Sequence, residues 1–278
     1  MIMSSTVLGE LMSKSIYFDR KILRVQEIPL SMRVGILKGK VAALVQLASG
    51  RSYCMQAGHI NFLIESVSDL GTLQSCIVDL FDSLFSPPIL STINTVVDVG
   101  ANIGQWTTAM TLMRPEAQIM ALEPDPKTFQ KLQNNVGQIG NVQLINLAAS
   151  DKQETVSLYR QPLTTTSTIF PTGTDRTSDP VTVRAKPLDD VLGDIPKIDV
   201  LKIDVEGAES SVIAGASETL SKTSVMIIEV SLDRGASNAL EVFSQILKVV
   251  PNAKILKFGR PLGYLGLPIC QDVILKLN

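Results

Sequence analysis

The sequence predicts an α/β fold built on a doubly wound, mostly parallel sheet. Apolar, β-branched runs near 95–99, 117–122, 142–147, 198–204 and 224–230 alternate with stretches of helical spacing. That is the pattern of strands covered on both faces by crossover helices. A glycine-rich turn, GANIG (100–104), follows the first run and opens a helical pattern, which is where such sheets build a nucleotide pocket. At 278 residues, 45% of them apolar and 19% charged, the chain can bury one α/β core and carry an extension besides.

The elements follow in order along the chain. Residues 1–90 show helical spacing in ILKGKVAALVQL (36–47) and LQSCIVDLFDSLF (73–85), so a mainly helical extension is expected there, a candidate cap over a substrate. Ser86, Pro87 and Pro88 mark its boundary with the unit 91–278. After the second run, Asp125 and Pro126 read as N-cap and first helical residue, with Phe129, Leu132 and Val136 on one face and Gly137 as the stop. ETVSLYR (154–160) and VTVRA (181–185) read as extra strands flanking a polar loop, 161–180. That loop's Pro, Gly, Ser and Thr make it a lid candidate or a disordered insertion. The fourth run leads into a helix carrying Val212, Ile213, Ala216 and Leu220. AKILKFG (253–259) and DVILKL (272–277), separated by a Gly/Pro-rich turn, are expected to close the sheet edge as an antiparallel pair. Tyr264 in that turn is either a fringe of an acceptor pocket or an ordinary turn aromatic. There are no internal repeats.

The acid ahead of the glycine turn decides which nucleotide it suits. Asp98 stands two residues before Gly100, with Asn102 and Gly104 following. A carboxylate at that place repels a diphosphate but attracts a nucleoside bearing ammonium and sulfonium charges, such as S-adenosylmethionine. Glu123 ends the second run 25 residues after Asp98, close to the spacing at which an acid reaches a bound ribose. In VLKIDVEGAES (200–210), Lys202 lies inside a strand that should be covered, so its ammonium needs a partner such as a strand-end acid. Asp204 and Glu206 sit at the carboxyl end of that strand, where reacting groups gather in open sheets. Asp204 is the leading candidate to accept a proton from a hydroxyl acceptor and Glu206 the second, with Lys202 tuning the charge. Alternatively Asp204, Glu206 and Glu229, at the end of the neighbouring strand, gather a hard cation such as Mg²⁺. The single histidine, His59, excludes a histidine-rich metal site and reads as a surface or capping residue. Trp106 and Met110, at helical spacing after the loop, read as core.

DVGANIG, LEPDP, LAASD (147–151), PLDDVL (187–192) and KIDVEGAE (202–209), in this order, resemble the FkbM family of S-adenosylmethionine-dependent methyltransferases over roughly 92–278. The resemblance implies a Rossmann-like class I methyltransferase sheet: seven strands, mostly parallel, with a C-terminal antiparallel hairpin. It implies methyl transfer, usually to a hydroxyl oxygen of a small molecule or sugar. By position, Asp98, Gly100, Asn102 and Gly104 would line the methionine side of the cofactor, and Asp204 would also contact it. Glu123 would hold the ribose, Ala149, Ser150 and Asp151 would lie near the adenine, and Pro124 would also contact the cofactor. Residues 1–90 lie outside the resemblance.

Composition narrows the alternatives. Net charge is −2, but residues 1–51 hold eight Lys or Arg against three Asp or Glu, so the remainder carries −7. An acidic catalytic half disfavours nucleic acid as a substrate. Cys54, Cys76 and Cys270 are odd in number and widely spaced, which argues for a packing role and a reducing cytoplasm rather than a disulfide framework. No apolar run is long enough to span a bilayer, and no signal-peptide pattern opens the chain. A nicotinamide-dependent oxidoreductase should carry a further glycine where Gln105, Trp106 and Thr107 stand. A non-catalytic S-adenosylmethionine-binding protein is the other alternative.

Overall fold

A computed structural model describes residues 16–26, 28–58, 60–80, 90–160, 167–168, 180–231, 238–264 and 267–278. The chain opens with helix α1 (Leu30–Ala48), strands β1 (Tyr53–Ala57) and β2 (Ile60–Ile64), and helix α2 (Val67–Asp79). Then follow β3 (Thr95–Val99), α3 (Gln105–Met113), β4 (Gln118–Leu122), α4 (Pro126–Val136) and β5 (Val142–Ile145). A side layer comes next: β6 (Ala148–Ala149), β7 (Glu154–Arg160), β8 (Ser167–Thr168) and β9 (Val181–Lys186). The chain continues through α5 (Leu188–Val191), β10 (Ile198–Ile203), α6 (Glu209–Ala214), α7 (Ser217–Ser221), β11 (Thr223–Ser231) and α8 (Ala239–Val249). It closes with β12 (Lys254–Tyr264) and β13 (Leu267–Lys276).

The main sheet has seven strands in the order β12-β13-β11-β10-β3-β4-β5. β10 pairs in parallel with both β3 and β11, and β3 with β4, which pairs in parallel with β5. β13 runs antiparallel to both its neighbours, so it alone is reversed. The order turns back at β3 and β10, and a crevice opens outside the carboxyl ends of those two strands. The two extra strands that the sequence predicts, β7 and β9, are present, and they pair antiparallel in a separate sheet.

Alternation along the central strands sorts side chains between two cores. Val96 and Val200 point to one face with Met110, Leu132, Phe62 and Ile77, while Val97, Leu201 and Ile203 point to the other with Ile213, Val242 and Ile246. The first face is thus shared by the N-terminal segment and the sheet. Asp98 and Lys202, in register as partners across β3 and β10, have the parity of Val96 and Val200 and so face this shared side.

Two features add to or alter the sequence-based expectations. Within the N-terminal extension, between its two helices, β1 and β2 pair as an antiparallel hairpin. It turns at Gly58, whose φ of +64° is left-handed, and its strands are too short for their alternation to stand out from helical spacing. At the C-terminus, the Gly/Pro-rich stretch does not end the strand at residue 259. β12 continues to Tyr264 through register shifts at Phe258/Pro261 and Leu262/Gly263, because bulges let Pro and Gly stay in an edge strand. The boundary at 86–88, His59 and nearly all of the 161–180 loop lie outside the described residues.

Candidate active site at the carboxyl ends of the central strands

The glycine turn is held closed by backbone contacts that leave no room for side chains. Gly100 and Ala101 both donate to the Leu122 carbonyl, at 3.0 and 2.9 Å. Gly100 has φ +85°, and a Cβ on it would lie 1.8 Å from the Asp204 carbonyl oxygen. Asn102 also takes a left-handed backbone, φ +52°, without being glycine, a conformation that persists only where the surroundings enforce it. Gly104 (φ +94°) caps α3, and a Cβ there would press on Leu132 and Val136 of α4.

Asp98 lies fully buried beneath this turn. Its Oδ2 accepts from the Thr107 hydroxyl at 2.6 Å, and its Oδ1 stands 3.6 Å from Lys202 Nζ. Lys202 Nζ also donates to Asp204 Oδ2 at 3.0 Å and lies 6.0 Å from the Trp106 ring centroid. The strand-end partner expected for Lys202 is therefore present twice over. Burial pushes the Asp98 carboxyl above the ordinary range, against the pull of Lys202 and the Thr107 hydrogen bond. Burial would lower Lys202, but Asp204 and Asp98 outweigh it and raise the ammonium well above its usual value. Trp106 and Met110 are buried as expected.

Glu123 is fastened to the same turn. Its Oε2 accepts from Asn102 N at 3.0 Å and its Oε1 from Asp125 N at 2.9 Å. Burial pushes its carboxyl to about 7 despite these two donors. Asp125 caps α4 through Lys127 N, with Pro126 as the first helical residue, as the sequence predicts. Asn146, which sequence reading passed over, donates to the carbonyls of Glu123 and Pro124 at 2.8 and 3.0 Å and fixes that corner. Ala149, Ser150 and Asp151 are held from another side. Ser150 N donates to the Lys186 carbonyl, Ser211 Oγ donates to Asp151, and a Cβ on Gly215 would lie 2.1 Å from the Ser150 carbonyl oxygen.

At the mouth of β10 and β11 the predicted acids converge. Asp204, Glu206 and Glu229 each offer a carboxylate oxygen within 4.8 Å of the others. Glu206 gets there on a left-handed backbone, φ +52°, followed by Gly207 at +99°. Two companions carried no sequence signal. β13 brings Asp272 into register opposite Glu229, and the Cys270 thiol donates to Glu229. Burial, then Asp204, Asp272 and Glu206, push Glu229 to about 9, and burial with Asp204 pushes Asp272 to about 6. Of the cysteines, Cys54 is exposed rather than packed, since it lies on the outward face of the hairpin. Tyr264 belongs to β12, and its side chain lies outside the described residues.

The raised Glu229 gives a stability prediction. Between about pH 4.5, where an unfolded Glu titrates, and about 9, the native state holds a proton that the unfolded state has released. Its contribution is complete below that window and is lost as pH rises through it. Glu229→Gln is therefore expected to flatten the decline of the thermal midpoint between pH 5 and 9.5, ending several degrees above wild type at the alkaline end. A parallel decline in both proteins would show that Glu229 is not the titrating group.

Comparison with known proteins sets this geometry in a family. A model described as "Methyltransferase FkbM domain" matches residues 98–256, from Asp98 through the acid cluster into β12. The 2-O-methyltransferase NoeI of Sinorhizobium fredii is 30% identical over 155 residues, 49% of this chain and 63% of that protein. The hexuronic acid methyltransferase AglP of Haloferax volcanii is 30% identical over 138 residues, 48% of this chain and 54% of that protein. The chain thus matches less than two thirds of either relative's length. Among solved structures, Aeropyrum pernix fibrillarin with bound S-adenosyl-L-methionine aligns with a TM-score of 0.43 at 13% identity, covering 70% of this chain and 71% of its own. With the family model matching more than half the chain and beginning at the carboxylate under the glycine turn, the chain belongs to the FkbM methyltransferase family.

Proposed function

We propose that this protein transfers a methyl group from S-adenosylmethionine to a hydroxyl oxygen of a small-molecule or sugar acceptor. The observation that carries this reading is the pair of buried acids about the glycine turn, Asp98 below it and Glu123 bonded to Asn102 N. Asn102 Oδ1 is buried without a hydrogen-bond partner, as befits an oxygen that waits for a donor-rich ligand. Asp98, Gly100, Asn102 and Gly104 would hold the methionine side, Glu123 the ribose, and Ala149, Ser150 and Asp151 the adenine, with Asp204 and Pro124 also in contact. When bound, S-adenosylmethionine supplies a methyl group on a sulfonium, an already activated leaving group. The names of the relatives, a 2-O-methyltransferase and a hexuronic acid methyltransferase, favour an oxygen acceptor.

The chain's own residues then have two tasks. One is to set the acceptor in line, a proximity effect worth roughly 7–11 kcal/mol. The other is to take the hydroxyl proton as the new C–O bond forms. Glu229, pushed to about 9, keeps its own proton at neutral pH, which leaves Asp204 and Glu206 as acceptors. Lys202 beside Asp204 holds that carboxylate in place. The N-terminal extension serves as a cap over the acceptor in this reading. Three free cysteines among the described residues favour a reducing, cytoplasmic setting. No helix among the described residues is long and apolar enough to cross a membrane.

A second reading places a divalent cation such as Mg²⁺ on Asp204, Glu206 and Glu229, favoured by their mutual approach within 4.8 Å. Oxygen ligands of this kind suit a hard cation, which would lower the acceptor's pKa directly. One assay tests the function and separates the two routes: methyl-donor turnover on hydroxylated sugars, with and without chelator. Oxygen methylation that survives chelation supports the carboxylate base. Loss restored by Mg²⁺ supports the cation. Cofactor binding without turnover on any oxygen acceptor would overturn the enzymatic reading.

A further inference from the structure

We propose that Asn135 is a positioning residue that latches the cofactor turn to the N-terminal hairpin, so that the hairpin contributes to cofactor affinity. The inference rests on reading 98–104 as the cofactor turn. Asn135 lies one residue before the end of α4 and is 5% exposed. Its Nδ2 donates to the Ile103 carbonyl at 2.8 Å, and its Oδ1 accepts from Leu63 N at 2.8 Å. One amide thus ties the glycine turn to β2, residues far apart in sequence.

The chemistry of the amide makes this exchange specific. The carbonyl it meets needs a donor and the backbone N–H needs an acceptor, and a side-chain amide carries both on separate atoms of one short stem, so it reaches two partners at once. Turning the amide over would set oxygen against oxygen and N–H against N–H, so the two partners fix its orientation. An aspartate would keep the Leu63 bond but set a carboxylate against the Ile103 carbonyl. An apolar residue would leave two buried backbone groups unpaired.

The place of contact explains why the turn needs a latch. Ile103 stands between Asn102 and Gly104, both on left-handed backbone. Strain of that kind is kept only where the surroundings over-determine it. Glu123 pins the turn from one side through Asn102 N, and Asn135 pins it from the other. The latch has packing behind it: Leu132 and Val136, flanking Asn135 on α4, are the side chains that a Cβ on Gly104 would meet. On the hairpin side, Lys131 of α4 forms an ion pair with Glu65, just beyond β2. Ligand binding that orders the turn must therefore also order the hairpin at Leu63, and the coupling is reciprocal.

The test uses the full chain, with S-adenosylhomocysteine as the probe and Asn135→Asp and Asn135→Ser as variants. Calorimetry is expected to give about tenfold weaker binding for both, the loss of one buried hydrogen-bond exchange. KM for the methyl donor should rise by a similar factor while kcat stays within about twofold. Exchange of the Leu63 amide should slow on adding the probe to wild type and stay unchanged in Asn135→Asp, a readout that a purely structural role would not move. Asn135→Asp, of nearly the same shape and still able to accept from Leu63, covers the case in which Asn135→Ser unfolds. Wild-type affinity in a folded variant, or no probe-dependent protection at Leu63 in wild type, overturns the latch and leaves the cofactor assignment standing. A wild-type chain that binds no probe overturns both.

Discussion

Gly100→Ala is expected to remove cofactor binding and to cost several kcal/mol of stability. The added carbon would stand 1.8 Å from the Asp204 carbonyl oxygen, a backbone atom that cannot rotate away. β3 and β10 are fixed side by side by their parallel register, so relief would have to come from opening the crevice itself. The φ of +85° adds a left-handed penalty for any residue with a side chain. Binding of S-adenosylhomocysteine should weaken by more than about a hundredfold, a loss of at least 2.8 kcal/mol. Gly140→Ala is the control: a Cβ there meets nothing within 4 Å, so its effect should stay within about 0.5 kcal/mol. Calorimetry and thermal denaturation on the two variants check this. Equal behaviour of the pair would mean that the turn is not built as described.

Asp204→Asn is expected to lower turnover at saturating donor by about 10²–10⁴, the range for loss of a positioned proton acceptor, beyond any weakening of its own contact with the cofactor. The change keeps the shape of the side chain and removes its charge. Lys202 loses one partner at 3.0 Å but keeps Asp98, so the buried ammonium is not stranded. Glu206, on its strained backbone within the same cluster, gives the comparison. If Glu206→Gln is the variant that loses turnover, the two acids exchange roles. If both retain it, proton transfer to this cluster is not part of catalysis. Single-turnover rates at saturating donor and acceptor separate the chemical step from binding.

The core of the sheet was readable because its rules are local and periodic. The five apolar runs became five parallel strands, and the acids at their ends fell where the crevice opens. Lys202 in an otherwise apolar strand announced its own need for a counter-ion. What escaped was set by pairing at long range. Asp272 and Cys270 reach Glu229 only because β13 folds back antiparallel against β11, and nothing near either residue marks that register. Asn135 carries no local signal, since its partners lie 72 and 32 residues away. The hairpin of β1 and β2 leaves no mark in the sequence pattern because two five-residue strands flanking a turn carry too little alternation. Bulges kept β12 running through Gly259, Pro261 and Gly263, where the composition read as a turn.

The central claim is electrostatic: buried acids on either side of the glycine turn select a cationic adenosine derivative over a diphosphate-bridged one. Titration calorimetry of the wild-type chain with S-adenosylmethionine and, separately, with NAD tests it most directly. The account predicts saturable binding of S-adenosylmethionine and no measurable heat with NAD at the same concentrations. Saturable binding of NAD, with none of S-adenosylmethionine, would contradict it.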